Sequence, residues 1–205
     1  MNIALFIGGR SKLYKECLLE QLNYTNKNSN HKIYLFGHFN EEPDENLISS
    51  FTSVSFEIFN PPNWSKNIIY KRYETNVHNT LSMYYSNKKA YELIDKYQKE
   101  NNFRFDQIIK FRPDIINIQL PIFPECIEDN TIYTYNDYHY GGLNDQIAIG
   151  NIESMTKYSN LYDSIEKYIN NIVFHPESLL LYHILVNNIN VKFIDYPYTL
   201  DNRRK

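Results

Sequence analysis

The chain has 205 residues, 42% of them hydrophobic and 22% charged, and a formal net charge of -3. That length favours one compact α/β domain with a sizeable core, and the small negative charge supplies no basic field for nucleic acid. No apolar run approaches the roughly 20 residues of a membrane-spanning helix, so no transmembrane segment is expected.

Ile3 to Ile7 is an unbroken apolar run, the pattern of a strand covered on both faces in a mostly parallel sheet. It is too short for a signal peptide and has no basic stretch before it. Gly8-Gly9-Arg10 then turns the chain toward a helix expected from about Leu13, with Leu18, Leu19 and Leu22 inward. Glycine lets a phosphate approach such a turn, and Arg10 and Lys12 add positive charge. A plain strand-to-helix turn explains the same residues.

A second strand, Lys32 to Phe36, ends in Gly37-His38-Phe39-Asn40, and a third, Val54 to Phe59, is stopped by Asn60-Pro61-Pro62. Between them lie an acidic loop, Glu41 to Glu45, and a short helix near Leu47 to Phe51. Asn63 to Asn79 has no clear period. Thr80 to Asn101 is the clearest helix: Leu81, Tyr84, Tyr91, Ile94 and Tyr97 form one stripe, with Glu92–Lys96 and Asp95–Lys99 spaced to pair outside it.

That helix leads into a fourth strand, Phe105 to Phe111, which Arg112-Pro113-Asp114 terminates. Proline donates no ladder hydrogen bond, so Arg112 and Asp114 stand at a strand end, where α/β sheets place ligands. A structural ion pair closing the strand is the competing reading.

Thr131 to Tyr135 reads as a further strand, followed by the turn-rich Asn136 to Asn144 and by Asp145-Gln146 ahead of a short apolar run, Ile147 to Gly150. One helix is expected over Ile152 to Tyr168, with Ile152, Met155, Tyr162, Ile165 and Ile169 facing the core. His175-Pro176-Glu177 opens the last helix, where proline suits the first position and Glu177 the first turn. Asn190 to Tyr196 is the final strand, before a basic tail. Cys17 and Cys126 have no CxxC spacing and read as buried or semi-buried thiols of a reducing compartment, so a cytoplasmic location is expected. No HExxH, paired CxxC or GxSxG pattern supports a zinc site or a hydrolase triad.

The order and spacing of five motifs carry a family resemblance: Phe6 to Arg10, Ser82 to Tyr85, Phe105 to Asp114, Asn144 to Gly150, and His175 to Glu177. Together they resemble small glycosyltransferases of the GT-A type, those of large DNA viruses and of bacterial surface-polysaccharide loci. The resemblance implies a single GT-A-like, Rossmann-like domain over 1–205. Residues 1–118 would bind a nucleotide-diphosphate sugar donor, and residues 119–205 a glycan or glycoconjugate acceptor. It also implies a divalent metal, Mn2+ or Mg2+, on the donor diphosphate, and hexosyl or deoxyhexosyl transfer with inversion.

In those terms Asp145 is the catalytic base, and Gly8, Gly9, Arg10, Arg112 and Asp114 hold the donor. Asp114 and His175 ligate the metal, while Asn144, Gln146 and Glu177 contact substrate. Asp114 matches the last acid of the family's Asp-x-Asp motif. Arg112 stands where the first Asp would be, and a guanidinium there offsets phosphate charge. The alternative is a non-catalytic nucleotide-sugar or glycan-binding module of the same fold. A nucleotidyltransferase would need two or three neighbouring carboxylates.

Overall fold

Strand Asn2–Gly9 (β1) is apolar from Ile3 to Ile7 because both its faces are covered: Ile3, Leu5 and Ile7 enter one core layer, Ala4 and Phe6 the other. The structure is a computed structural model and describes residues 1–9, 31–40, 42, 49, 51–60, 64, 76–112, 114–116, 126–195 and 198–200. Arg10, Cys17, the helix expected from Leu13 and the basic tail lie outside the described residues, as do all but Ser49 and Phe51 of the expected helix over residues 47–51.

Strands Lys32–Phe39 (β2), Ser53–Ile58 (β3) and Gln107–Phe111 (β4) run parallel to β1 in the order β3-β2-β1-β4. Ile115–Ile116 (β5) pairs outside this sheet. Thr131–Tyr135 (β6), Ile147–Gly150 (β7) and Asn190–Ile194 (β8) extend it as β4-β7-β6-β8. β7 is antiparallel to both β4 and β6, and β6 and β8 are parallel. Thr199–Leu200 (β9) forms a small ladder with β5.

The reversal at β7 matters for the site. Phe111, the last residue of β4, is opposite Ile147, the first of β7, and the Arg112 N–H donates to the Gln146 carbonyl at 2.9 Å. The exit of β4 and the entrance of β7 therefore share one rim of the sheet.

Helix Val77–Asn101 (α1) starts where the Asn76 side chain accepts from the Asn79 N–H at 3.1 Å, and it ends at Asn102, whose φ of 47° is left-handed. Leu81, Tyr84, Tyr91 and Ile94 are buried as the stripe predicts, joined by Ser86, Asn87 and Ala90. Lys99 pairs with Asp95, whereas Glu92 pairs with Lys88 and Lys89 in place of Lys96.

The expected helix over Ile152 to Tyr168 is two helices, Ile152–Ser159 (α2) and Leu161–Tyr168 (α3), separated at Asn160. Asn160, with ψ 4°, turns its N–H onto the Lys157 and Tyr158 carbonyls, which closes the first helix. Each piece can then bury its own face: Met155 and Tyr158, then Leu161, Ile165 and Tyr168. Pro176–Val186 (α4) begins at proline, as expected.

Two smaller expectations change. β4 begins at Gln107; Phe105 remains buried, its ring 5.1 Å from Tyr34 and 5.6 Å from Phe36. Cys126 is exposed, because it precedes β6 and no core element covers it.

Candidate active site

A cleft of about 400 Å³ opens at the rim where β1 and β4 end and β7 begins. That volume lies within the range of about 300–1,000 Å³ usual for small-molecule sites. Three parts of the chain meet there: the Gly8-Gly9 end of β1, the first turns of α1 from His78 to Met83, and the end of β4 with Asp145 and Glu177 facing it.

Glycine is required at the first part. A Cβ on Gly8 would lie 2.7 Å from the Asn87 backbone nitrogen, so only glycine lets α1 pack against this end of β1. Gly9 has φ 112°, and a Cβ there would meet nothing within 4 Å; its conformation, not crowding, calls for glycine. The start of α1 adds backbone N–H groups, a positive helix end and polar side chains, with no acidic residue in its first turn. Asn87 is 4% exposed and its amide nitrogen has no hydrogen-bond partner, although the residue borders the cleft.

The basic wall belongs to β4. Lys110 and Arg112 are two residues apart, so they project to the same side of the strand, and both border the cleft. Lys110 is 2% exposed, and its ammonium donates to the Asp145 carbonyl and, at 3.4 Å, to that of Gln146. Burial lowers its pKa to about 8, against the opposing pull of Asp145. Arg112 grips Asp114 with two hydrogen bonds, Nε to Oδ1 at 2.7 Å and Nη2 to Oδ2 at 3.1 Å. Burial works against the Arg112 charge, but the Asp114 carboxylate more than offsets it, and the pKa is raised.

The acidic wall is Asp145 and Glu177. Asp145 is 3% exposed, and its Oδ1 has no hydrogen-bond partner. Glu177, in the first turn of α4, has its pKa raised to about 7, first by burial and then by the nearby charge of Asp145. His175 Nδ1 lies 2.7 Å from Glu177 Oε2. Tyr84 ties this helix start to α1 by donating to the Pro176 carbonyl at 2.8 Å.

The loop before Asp145 is held just as firmly. The Leu143 N–H donates to the Glu177 carbonyl at 3.0 Å, and a Cβ on Gly142 would lie 2.1 Å from the same oxygen. Tyr138 and Tyr140 take positive φ values of 58° and 42°, a strained conformation for residues with a Cβ, of a kind that clusters at functional sites.

The residues singled out from sequence therefore divide. Gly8, Gly9, Arg112, Asp145 and Glu177 border one cleft. Asn144 and Gln146 build the loop instead. The Asn144 amide donates to the Asp137 carbonyl at 2.7 Å and to the Tyr198 hydroxyl at 2.9 Å, its Oδ1 accepts from the Gln146 N–H at 2.8 Å, and Tyr198 donates to Gln146 Oε1 at 2.8 Å. Arg10 lies outside the described residues.

Of the two metal ligands implied by the resemblance, Asp114 is gripped by Arg112, whereas His175 Nδ1 and Glu177 Oε2, 2.7 Å apart, make no hydrogen bond among the described residues. Among the described residues no three His, Cys, Asp or Glu side chains are grouped so as to hold a metal ion. A divalent cation needs several oxygen ligands free of competing positive charge, and the Arg112–Asp114 fork does not fit that need.

Sequence reasoning assigned no role to Lys110 or Asn87. The signal for Lys110 was present: a lone lysine in an apolar strand, two residues before an arginine, must share its face. Asn87 carried no signal, because its placement depends on how closely α1 approaches Gly8.

No family model and no curated protein sequence matches the chain. Solved structures do. An active-site mutant of LgtC superimposes with a TM-score of 0.55 at 12% identity, covering 94% of this chain and 72% of that one. A glycosyltransferase involved in the glycosylation of the major capsid of PBCV-1 gives 0.52 at 12% identity, over 95% and 82%. The galactosyltransferase LgtC in complex with donor and acceptor sugar analogues gives 0.50 at 10% identity, over 94% and 73%. At these identities the likeness is one of fold, and the fold is that of the GT-A glycosyltransferases.

Proposed function

We propose that the protein transfers a hexosyl or deoxyhexosyl group from a nucleotide-diphosphate sugar to an acceptor hydroxyl of a glycan or glycoconjugate, with inversion. The observation that carries this reading is the meeting of two opposite chemistries in one cleft of a GT-A fold. An anion-favouring half is made by Gly8, Gly9, the start of α1, Lys110 and Arg112; a carboxylate half is made by Asp145 and Glu177.

The donor diphosphate lies against the first half, with residues 1–118 supplying its contacts. Asp145 removes the acceptor proton as the acceptor oxygen bonds to the anomeric carbon. The bond from that carbon to the phosphate oxygen breaks, and its electron pair leaves with the nucleoside diphosphate. The unpartnered Oδ1 of Asp145 is available for that proton. Glu177 stands beside it, its own pKa raised to about 7 by burial and by the Asp145 charge.

A panel of UDP-, GDP- and dTDP-sugars, assayed for donor hydrolysis and for transfer to glycan acceptors, tests the reading. Turnover of one donor is expected. Binding of a donor with no hydrolysis and no transfer would instead mark a nucleotide-sugar-binding module.

A further inference from the structure

We propose that this cleft holds its donor diphosphate on protein cations, Lys110 and Arg112 assisted by the Asn87 amide, without a divalent metal. The inference rests on the sugar-transfer reading and concerns how the same site neutralises phosphate.

Both carboxylate oxygens of Asp114 accept from one guanidinium, and Asp114 is 2% exposed, so the acid faces a fixed cation across 2.7 and 3.1 Å. A metal ion bound there would have to displace Arg112 and sit beside its charge, with Lys110 on the same face of the strand. Arg112 retains further N–H groups beyond the two that Asp114 takes, and a guanidinium suits two phosphate oxygens at once. Lys110 directs hydrogen bonds at two backbone carbonyls, and its charge remains in the cleft wall.

Asn87 supplies an independent pointer to a ligand. Its buried amide nitrogen has no hydrogen-bond partner among the described residues, and the residue borders the cleft, its Oδ1 on the side of Gly8. An unpaired buried donor is costly, and a phosphate oxygen would satisfy it. Gly8 and Gly9 place no side chain between these groups and the ligand.

The test is calorimetric titration of UDP, GDP and dTDP into the full chain, once in EDTA and once in excess Mn2+. One nucleoside diphosphate is expected to bind with the same Kd in both. Arg112→Gln is expected to weaken it about ten- to hundredfold, the loss of a charge-assisted hydrogen bond. Asn87→Asp, nearly isosteric, sets a negative charge against the phosphate and is expected to abolish binding. Arg112→Asp places two carboxylates together and is expected to bind only with Mn2+. Thermal melts of each variant separate misfolding from lost affinity.

Wild-type binding that requires Mn2+, or an unchanged Kd in Arg112→Gln, would overturn the inference and leave sugar transfer standing. No binding in either buffer would remove both.

Discussion

The two walls of the cleft are built in opposite ways. The basic wall sits at the end of β4, between parallel β1 and antiparallel β7, where backbone pairing, continued by the Arg112 N–H on the Gln146 carbonyl, leaves alternation to put Lys110 and Arg112 on one face. The acidic wall sits on a loop and a helix start, and its positions depend on contacts distant in sequence: Lys110 on the Asp145 carbonyl, Tyr84 on Pro176, Leu143 on Glu177. The difference teaches that, on the proposed reading, binding is set by the scaffold, whereas the chemical step is set by packing between elements.

If that division holds, substitutions on the two walls will separate affinity from turnover. The largest effect is expected from Asp145→Asn: turnover falls about 100- to 10,000-fold, the range for loss of a general base, while donor Kd measured by calorimetry stays unchanged. A matching loss of affinity would show that the walls are not independent.

Gly8→Ala comes next. Its methyl meets the Asn87 backbone, so α1 must shift, at a cost of about 1–3 kcal/mol in denaturant unfolding, together with weaker donor binding. The shift should also reach Glu177 through the Tyr84 hydrogen bond to the Pro176 carbonyl, so the pH dependence of turnover is expected to change with it.

Glu177 gives a pH prediction with a definite sign. Its folded pKa of about 7 exceeds the ordinary 4.5, so the folded chain holds a proton that the unfolded chain releases. Stability from this group is complete below pH 4.5 and declines as pH rises through about 7. Glu177→Gln should flatten that decline, so thermal melts compared across the interval would show the variant gaining on wild type toward the alkaline end. Its turnover should also lose an ionisation near pH 7.

Tyr198→Phe should have the smallest effect, about 1 kcal/mol from the hydroxyl shared by Asn144 and Gln146, with a modest fall in turnover as the loop loosens. A larger fall in substrate affinity than in turnover would place these two side chains against substrate, as the resemblance implies.

The sequence made much of this legible. The apolar run of β1, the α1 stripe and the Pro176 start of the last helix follow from periodicity and local chemistry, and each is found where expected. The break at Asn160 was hidden because the apolar spacing runs through it; only the separate burial of α2 and α3 reveals the turn. Of the site, the strand-end residues could be read because they need only their own strand. Lys110 was visible in principle from alternation. The raised pKa of Glu177 was not, because it arises from burial and from Asp145, 32 residues away in sequence, brought close by tertiary packing.

The antiparallel seam between β4 and β7 has a mechanical consequence. Hydrogen-bonded backbone runs beneath both walls, from Ile108 opposite Gly150 to Phe111 opposite Ile147. Lys110, Arg112 and Asp145 share one floor and cannot swing apart without breaking strand pairing, while Glu177 stands over it on α4. On the sugar-transfer reading, substrate entry and product exit are accommodated by what stands above the floor, among the described residues the start of α1. The cleft is then a jaw with a fixed floor, and changes of acceptor preference should be sought above it.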